Sequence, residues 1–179
     1  MRKTKKQIEA AAARVRLLIL DVDGVLTDGR IILDNDGNEF KAFHVRDGHG
    51  IRMLIKAGIM VAIITGRHSK VVKRRAQELG ITEVFQKCYK KTVAYEQLLG
   101  KFGLRDEETA YIGDDIVDIS IMRRAGLPAA VADAAVETKA EAAFITKNSG
   151  GRGAVREVCD LILKASGKWK ELLDEYYKA

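Results

Sequence analysis

The sequence contains few cysteines and few aromatic residues, and both shortages exclude classes of protein. Its two cysteines, Cys88 and Cys159, lack the close spacing of metal-binding pairs, and a disulfide is not expected in a reducing compartment. We therefore interpret both as packing residues. Aromatic residues make up 6% of the chain, and no basic stripe is interleaved with stacking side chains. The net charge of +6 therefore does not indicate a nucleic-acid partner, and a small anionic ligand accounts for it equally well.

Long apolar runs are also missing from the sequence. No stretch approaches the roughly 18 apolar residues that a membrane-spanning helix needs. The basic start Met1-Arg2-Lys3-Thr4-Lys5-Lys6 leads into alanine-rich sequence and not into a cleavable hydrophobic segment. We therefore expect a cytoplasmic protein with no membrane partner.

The sequence does contain a regular alternation of strand and helix patterns, without internal repeats. With 179 residues, 47% of them hydrophobic and 31% charged, the chain is predicted to form one globular domain over residues 1–179. Short apolar runs at 16–20, 60–64, 83–85, 109–112, 128–132 and 144–145 predict strands, and amphipathic segments such as 47–56 predict helices. The alternation predicts an α/β fold, a Rossmann-like parallel sheet with helices on both faces.

A β-hairpin insertion is predicted at residues 30–45, directly after the first strand. Two apolar segments flank Asp34-Asn35-Asp36-Gly37-Asn38, which is typical of a glycine-containing turn. Apolar residues fall on both faces of each arm. One face can cover its own domain, so the other is available to another subunit.

The first strand ends in acidic residues. Residues 17–20 are apolar, and Asp21-Val22-Asp23-Gly24 follows them. In an extended chain Asp21 and Asp23 would leave on the same side, about 6–7 Å apart. Two carboxylates at the carboxyl end of a parallel strand stand where open α/β sheets bind ligands. An acidic turn is the ordinary alternative, because Asp-Gly pairs are common in turns.

Polar residues follow three later strands in the same way. They are Thr65-Gly66-Arg67, the pair Lys90-Lys91, and Gly113-Asp114-Asp115 with Asp118. Each group alone is common in turns, at surface helix starts or at helix caps. Because the carboxyl ends of parallel strands meet at one edge of a sheet, the groups together predict a single site.

In this order the residues resemble the four motifs of the haloacid dehalogenase superfamily of phosphotransferases, and the resemblance covers nearly the whole chain. Within the superfamily, residues 21–29, 43–48, 63–67 and 150–157 are similar to those of 3-deoxy-D-manno-octulosonate 8-phosphate phosphatases. His44 departs from the pattern, since some relatives carry Asn there. The doubled lysine leaves the third motif open between Lys90 and Lys91, and the spacing before the following helix favours Lys91.

The resemblance implies hydrolysis of a phosphate monoester with Mg²⁺ as cofactor. Asp21 would be the nucleophile that forms an aspartyl phosphate, and also a metal ligand. Asp114 would be the second carboxylate ligand, since Mg²⁺ suits one or two carboxylates together with phosphate oxygens and waters. Asp23 would bind the metal through its backbone carbonyl, while its side chain acts as general acid and then as general base.

The resemblance also implies roles for the remaining motif residues. Thr65 and the Gly66 amide would donate hydrogen bonds to phosphoryl oxygens, and Lys91 would offset negative charge on the nucleophile and the phosphate. Asp115 and Asp118 are interpreted either as residues behind the metal ligands or as helix caps. The first alternative is favoured for Asp115.

Substrate choice is expected to depend on assembly. Between Asp23 and Thr65 the hairpin is the sole element added to the strand and helix pattern, and between Thr65 and Lys91 there is room for only one helix and one strand, so no cap domain fits. The resemblance implies a capless homotetramer, joined through the hairpins, in which a neighbouring subunit completes each site. The candidate substrate-binding residues are Asp23, His44, Val45, Arg46, Asp47, Gly48, Arg52, Gly66, Arg67, Arg75 and Lys91, with Arg152 as an uncertain addition.

Two further segments, residues 150–153 and 166–179, also have predicted roles. Residues 150–153, Gly-Gly-Arg-Gly, are interpreted either as a flexible turn or as a loop that reaches the active site. Residues 166–179, which contain Trp169 and Tyr176, are interpreted as a docking helix.

The leading hypothesis is an Mg²⁺-dependent phosphatase. The resemblance implies that it releases inorganic phosphate from 3-deoxy-D-manno-octulosonate 8-phosphate, a phosphorylated sugar acid, during lipopolysaccharide precursor biosynthesis. A nine-carbon keto-sugar acid 9-phosphate is the nearest alternative substrate. A phospho-acceptor signalling receiver also carries paired acids, Thr and Lys, but its acceptor follows a later strand than Asp21 does. A non-catalytic partner protein is disfavoured, because none of the five polar positions is lost.

Overall fold

The computed structural model describes residues 4–178. Met1, Arg2 and Lys3 of the basic start lie outside the described residues. The helices are α1 (Lys5–Ala13), α2 (Val45–Lys56), α3 (Lys70–Leu79), α4 (Lys91–Phe102), α5 (Ile119–Met122), α6 (Val136–Glu141), α7 (Ala154–Ala165) and α8 (Trp169–Lys178). The strands are β1 (Leu17–Leu20), β2 (Ile32–Leu33), β3 (Glu39–Phe40), β4 (Met60–Ile64), β5 (Glu83–Phe85), β6 (Thr109–Gly113), β7 (Leu127–Ala130) and β8 (Phe144–Ile145). Single 3₁₀ turns occur at Asp106–Glu108 and Ile116–Asp118.

Six strands form a parallel sheet in the order β5-β4-β1-β6-β7-β8, and β2 and β3 pair separately. Strand β1 lies between β4 and β6, with Leu17 opposite Met60 and Thr109. All four residues of β1 are fully buried, as expected for a strand covered on both faces. The predicted α/β fold is confirmed, whereas its extent as a single domain over 1–179 stays a prediction.

The connections explain why helices cover both faces of the sheet. From β1 the chain moves outward through β4 to β5, and it then crosses back to β6, β7 and β8 on the other side. Parallel crossovers are right-handed, so connections in opposite directions place their helices on opposite faces. The carboxyl ends of β1, β4, β5 and β6 consequently point to the same edge, where the predicted site residues follow.

The hairpin is shorter than predicted, with two residues in each strand. Its turn is held by the Asp34 side chain, which accepts hydrogen bonds from the backbone N–H groups of Asp36 and Asn38 at 3.0 and 2.8 Å. Ile32 pairs with Phe40, and both side chains are exposed. Phe43 instead packs against the core, so the exposed apolar face is the outer one.

Helix boundaries differ from the expectation at the start of α2. The helix begins at Val45, two residues earlier than predicted, and His44 is its N-terminal cap residue. Since the first turn of α2 covers 45–48, these residues form a helix end and not a loop. Helix α3 has both ends defined by single residues, because Ser69 caps its start and Gly80 ends it in the left-handed conformation.

The C-terminal segment forms α8, which packs against α7 of the same chain. Leu172 is buried beneath it, and Tyr176 lies against His49 of α2 with ring centroids 5.6 Å apart. The expected docking helix therefore has a partner within its own chain. No helix within residues 4–178 combines the length and apolar character required to cross a bilayer.

Candidate active site

The turn after β1 shapes the centre of the site. Strand β1 ends at Leu20, and the N–H of Leu26 donates to the carbonyl of Val22 at 2.9 Å, so Asp21 and Asp23 do not belong to one extended segment. The chain thus turns at the point where strand alternation was assumed to continue, and both Asp21 and Asp23 still line the cavity at this edge. Gly24 has φ +90°, and a Cβ there would lie 2.0 Å from Asp114 Oδ2. Glycine at this position makes room for the carboxylate from β6.

A buried lysine connects two of the acidic residues. Lys91 Nζ lies 2.9 Å from Asp21 Oδ1 and 2.6 Å from Asp118 Oδ1, and the lysine side chain is 4% exposed. Lys90 is exposed and precedes the first turn of α4. Of the two alternatives for the lysine motif, only Lys91 reaches the cluster.

Asp118, the last residue of the 3₁₀ turn after β6, is fully buried behind the site. Its Oδ1 accepts a hydrogen bond from the Tyr111 hydroxyl at 2.6 Å, and its Oδ2 accepts one from the backbone N–H of Asp114 at 3.0 Å. Asp115 is exposed and accepts from the N–H of Ile116. The structure thus reverses the preference for Asp115 as the residue behind the ligands, because the turn directs Asp118 inward and Asp115 outward.

Burial and mutual repulsion raise the proton affinity of this cluster. Burial raises the pKa of Asp21 to about 6, although the Lys91 ammonium opposes the shift. Burial, together with the charges of Asp21 and Asp118, raises the pKa of Asp114 to about 8. Burial alone would lower the pKa of Lys91, but the carboxylates of Asp21 and Asp118 outweigh it and raise that pKa.

The donor set fits a divalent cation. Oxygens of Asp21, Asp114 and Asp118 lie within 4.8 Å of one another, and one ammonium faces these three carboxylates. An excess of buried negative charge is the environment that a hard cation such as Mg²⁺ relieves. Because both oxygens of Asp118 already accept hydrogen bonds, Asp21 and Asp114 are the residues with oxygens available to hold an ion.

The cavity at this edge is open and about 260 Å³ in volume. It is lined by Asp21, Asp23, Thr65, Gly66, Arg67, Cys88, Tyr89, Lys91, Asp114, Asp115 and Val117. Thr65 is 2% exposed, and its N–H donates to the Phe85 carbonyl at 2.9 Å. Gly66 faces open space, since a Cβ there would meet no atom within 4 Å. The polar ends of β1, β4 and β6 therefore meet in one cavity.

A second cluster of charged side chains lies at the mouth of the cavity. It contains the predicted residues Asp23 and Arg67 and two residues that the sequence analysis missed, Glu39 and Lys41. Lys41 pairs with Asp23 and lies 3.4 Å from Glu39 Oε1, so the hairpin contributes two side chains. Arg67 contacts the same two carboxylates, at 3.7 Å from Asp23 Oδ2 and 3.4 Å from Glu39 Oε1. Glu39 lies in β3 and Lys41 directly follows the strand, so their spacing of two residues places both on one face, a signal that could have identified them.

Several predicted substrate-binding residues lie away from this cavity. Asp47 is buried and accepts from the backbone N–H groups of Gly153 and Arg156 at 3.2 and 2.7 Å, so it fastens α2 to α7. His44 has its Nδ1 buried without a hydrogen-bond partner among the described residues. Val45 and Arg46 are exposed on the first turn of α2.

Two predicted arginines are also elsewhere. Arg52 lines a separate cleft of about 660 Å³ beside α8. Arg75 lies over the Phe43 ring at 5.8 Å and 3.3 Å from Glu78, and a Cβ at Gly48 would collide with its guanidinium. Arg67 is therefore the predicted arginine that lines the cavity within this chain.

The glycine-rich segment packs directly on the active-site turn. A Cβ at Gly150 would lie 1.7 Å from the Gly24 carbonyl oxygen, and the N–H of Gly151 donates to the Val25 carbonyl at 2.9 Å. Arg152 is exposed, 3.8 Å from Asp28. Of the two interpretations of 150–153, the structure favours a loop held at the site over a flexible turn.

Comparison with known proteins agrees with this arrangement. A family model described as haloacid dehalogenase-like hydrolase matches residues 81–158. The 3-deoxy-D-manno-octulosonate 8-phosphate phosphatase of Escherichia coli strain K12 is 52% identical over 162 residues, which are 90% of this chain and 86% of that protein.

Solved structures agree as well. The crystal structure of the same phosphatase from Yersinia pestis has a TM-score of 0.91 at 52% identity, and the match covers 92% of this chain and 89% of that one. The phosphatase from Moraxella catarrhalis, solved with a magnesium ion, a phosphate ion and KDO, has a TM-score of 0.95 at 43% identity, covering 97% and 99%. The chain therefore belongs to the family of 3-deoxy-D-manno-octulosonate 8-phosphate phosphatases, within the haloacid dehalogenase-like hydrolases.

Proposed function

We propose that this chain hydrolyses 3-deoxy-D-manno-octulosonate 8-phosphate to the free sugar acid and inorganic phosphate. The observation that carries the proposal is the cluster of the buried Asp21 and Lys91 with the half-buried Asp114 at the carboxyl edge of the sheet. It occurs in a chain 52% identical to a phosphatase named for this substrate. The cavity beside the cluster is open, so the phosphorylated end of a sugar acid can enter from solvent.

The proposal includes Mg²⁺, held by Asp21, Asp114 and the backbone carbonyl of Asp23. The support is the excess negative charge of the cluster and the raised pKa values of Asp21 and Asp114. When bound, the ion neutralises part of the charge on the carboxylates and on the phosphoryl oxygens, which otherwise repel each other.

The chemical steps are assigned to two aspartates. The carboxylate of Asp21 attacks phosphorus, the bond from phosphorus to the sugar oxygen breaks, and the Asp23 side chain donates a proton to the leaving alkoxide. Asp23 then accepts a proton from the water that attacks the aspartyl phosphate, and the bond from phosphorus to the Asp21 oxygen breaks. Inorganic phosphate leaves, and both residues return to their starting forms.

The surrounding residues are assigned to phosphoryl binding. Thr65 and the Gly66 amide donate hydrogen bonds to phosphoryl oxygens, and the Lys91 ammonium offsets charge on the phosphate and the nucleophile. Lys91 is supported from behind by Asp118, which in turn accepts a hydrogen bond from Tyr111. This support holds the ammonium next to Asp21 before the substrate arrives.

Recognition of the sugar acid is proposed to require a second copy of the chain. Arg67 lines the cavity, but His44, Arg46, Arg52 and Arg75 do not, so they would contact substrate only in a neighbouring site. The exposed outer face of the hairpin supplies an apolar surface for such a contact. We propose a homotetramer joined through the hairpins, with each copy completing the site of another.

The cellular setting is part of the same proposal. We place the reaction in the cytoplasm, as a step of lipopolysaccharide precursor biosynthesis. The support is the resemblance of residues 21–29 and 150–157 to the phosphatase family.

The test is phosphate release by the purified protein with Mg²⁺, across a panel of phosphate esters. The eight-carbon sugar-acid phosphate is expected to have the highest kcat/KM. A nine-carbon keto-sugar acid 9-phosphate, a hexose phosphate and p-nitrophenyl phosphate serve as comparators. Higher efficiency on the nine-carbon ester would reassign the substrate, and no release from any ester would refute a phosphatase.

A further inference from the structure

Four side chains form a closed ring of alternating charge at the mouth of the cavity. Lys41 contacts Asp23 and Glu39, and Arg67 contacts the same two carboxylates. The ring joins the hairpin to the turn after β1 and to the segment after β4. The steps assigned to Asp23 and the phosphate-binding residues leave Lys41 and Glu39 without a role.

Lys41 is the most enclosed member of the ring. Its side chain is 1% exposed, compared with 45% for Arg67. A buried ammonium is costly unless carboxylates surround it, and both of its partners are carboxylates. Lys41 is therefore held within the ring, whereas Arg67 contacts the ring and is also exposed on the cavity side.

The hairpin explains how a lysine from an insertion reaches the site. Glu39 in β3 contacts Lys41, the residue after the strand, on the inner face, whereas Phe40 between them is exposed on the outer face. Glu39 also accepts a hydrogen bond from the Ser69 hydroxyl at the cap of α3. Burial alone would raise the pKa of Glu39, but the Ser69 hydroxyl and the Lys41 ammonium hold it below its ordinary value. Both side chains on the inner face of the hairpin are consequently held by residues outside it, Lys41 by Asp23 and Glu39 by Ser69.

The two carboxylate oxygens of Asp23 differ in how closely they are contacted. Lys41 binds Oδ1 of Asp23, whereas the nearest contact on Oδ2 is Arg67 Nε at 3.7 Å, which is too long for a hydrogen bond. The neighbouring Gly24 has no side chain that could restrain the turn. One oxygen of Asp23 is therefore fixed and the other remains available for proton transfer.

We propose that Lys41 is a positioning residue that holds the Asp23 carboxyl where it protonates the leaving oxygen. Glu39 holds Lys41 in turn. The proton on Oδ2 passes to the sugar oxygen as its bond to phosphorus breaks, and Oδ2 regains a proton from the water that attacks the aspartyl phosphate. This inference rests on the proposed function and adds a residue from the insertion to it.

The test compares two esters that differ in the basicity of the leaving group. Phenyl phosphate needs a proton on its leaving oxygen more than p-nitrophenyl phosphate does, although the two are similar in shape. Lys41→Met is expected to lower kcat/KM for phenyl phosphate and for the sugar-acid phosphate by about a hundredfold, the low end of general-acid effects. For p-nitrophenyl phosphate the loss is expected to stay within about threefold. A general structural disturbance would lower both aryl esters equally.

A double-mutant cycle gives the second readout. If Lys41 acts through Asp23, Lys41→Met combined with Asp23→Asn should be no slower than Asp23→Asn alone. Lys41→Arg keeps a cation beside the carboxylate and is expected to recover most of the phenyl phosphate activity. Lys73→Met, at an exposed lysine on α3, is the matched control and should leave both esters unchanged.

Light scattering and thermal unfolding show whether the hairpin is intact in each variant. Equal losses on the two aryl esters, additive losses in the cycle, or no recovery by Lys41→Arg would overturn the role of Lys41. A wild-type protein that hydrolyses none of these esters would instead overturn the proposed function, and this inference with it.

Discussion

At the scale of single residues, burial decides which acidic side chains are available for chemistry. Asp118 is fully buried and fully hydrogen-bonded, so it supports Lys91. Asp21 is buried and Asp114 is half-buried, both with fewer partners, and their pKa values rise to about 6 and about 8. These two carboxyl groups are therefore the ones whose charge a bound cation would change.

Their raised pKa values predict how Mg²⁺ binding depends on pH. A carboxyl whose pKa is higher in the folded protein destabilises the fold when it ionises, and here that cost develops as pH rises from about 4 towards 8. Mg²⁺ requires the ionised forms, so its apparent affinity should increase between pH 6 and 8, by up to about tenfold per pH unit for each proton displaced. The increase in melting temperature caused by Mg²⁺ should grow over the same range.

Titration calorimetry in buffers of different ionisation enthalpy measures both the affinity and the protons released. Asp114→Asn is the control and should lose most of the pH dependence between 6 and 8. Affinity that is constant across this range in the wild-type protein would contradict the assignment of the ion to these carboxylates.

The nucleophile gives a second prediction at this scale. Asp21→Asn keeps the shape of the side chain but replaces a carboxylate with a poor nucleophile, so turnover should fall by on the order of 10⁴-fold. Lys91 still pairs with Asp118, and the variant should remain folded. Phosphate release is measured together with thermal unfolding. Near wild-type turnover by the folded variant would exclude an aspartyl phosphate at Asp21.

At the scale of elements, two turns distant in sequence are packed with no space between them. The turn after β1 and the loop 150–153 touch through glycines, and Gly150 has no room for a Cβ beside the Gly24 carbonyl. At the end of this loop, the N–H of Gly153 donates a hydrogen bond to the Asp47 carboxylate on α2. The catalytic turn therefore depends on contacts from the other end of the chain.

Gly150→Ala should disturb the site without touching substrate. The added methyl group forces the turn at Gly24 to shift, which should cost about 1–3 kcal/mol of unfolding free energy and lower kcat. Gly100→Ala, in the interior of α4 where a Cβ would meet nothing within 4 Å, is the control and should stabilise the protein by up to about 1 kcal/mol. Chemical denaturation and steady-state kinetics test both variants. Equal stability of the two variants would contradict the close packing.

At the scale of the whole molecule, the hairpin has two faces with different chemistry. Its inner face carries Glu39 and Lys41 towards the site, and its outer face exposes Ile32 and Phe40, which pair across the two strands. The inner face is held by ion pairs within the same chain. The outer face is apolar and exposed, so it suits contact with a second copy. Assembly and the order of the site would then depend on the same element.

Ile32→Asp with Phe40→Asp should dissociate the proposed tetramer. In one copy both positions are exposed, so the fold should survive, but burying unpaired carboxylates in an interface costs several kcal/mol each. Efficiency on the sugar-acid phosphate should fall much further than turnover of p-nitrophenyl phosphate. Val136→Asp, at another exposed apolar residue, should leave the assembly unchanged.

Light scattering and paired kinetics on the two esters test this prediction. A folded monomer with full efficiency on the sugar-acid phosphate would show that no neighbour completes the site. A double variant that remains tetrameric would show that the outer face of the hairpin is not the interface.

The sequence by itself determined the order of the elements and which strand ends carry polar residues. The buried strand β1 is recognisable from four consecutive apolar residues, and in a parallel sheet the residues after each strand must meet at one edge. The meeting of Asp21, Thr65 and Asp114 at one cavity follows from that rule, whereas the choice between Lys90 and Lys91 remained open until the structure was known. Local spacing was enough, because the rule concerns the direction of strands and not the packing of side chains.

Only the tertiary structure decided which residues stand behind and beside these positions. Tyr111 has the pattern of an ordinary core residue, and nothing local distinguishes Asp118 from Asp115 until the 3₁₀ turn directs one of them inward. Lys41 reaches Asp23, and Gly150 reaches Gly24, across 18 and 126 positions of sequence. Such contacts depend on how separate elements pack against each other, and no periodicity within a single segment encodes them.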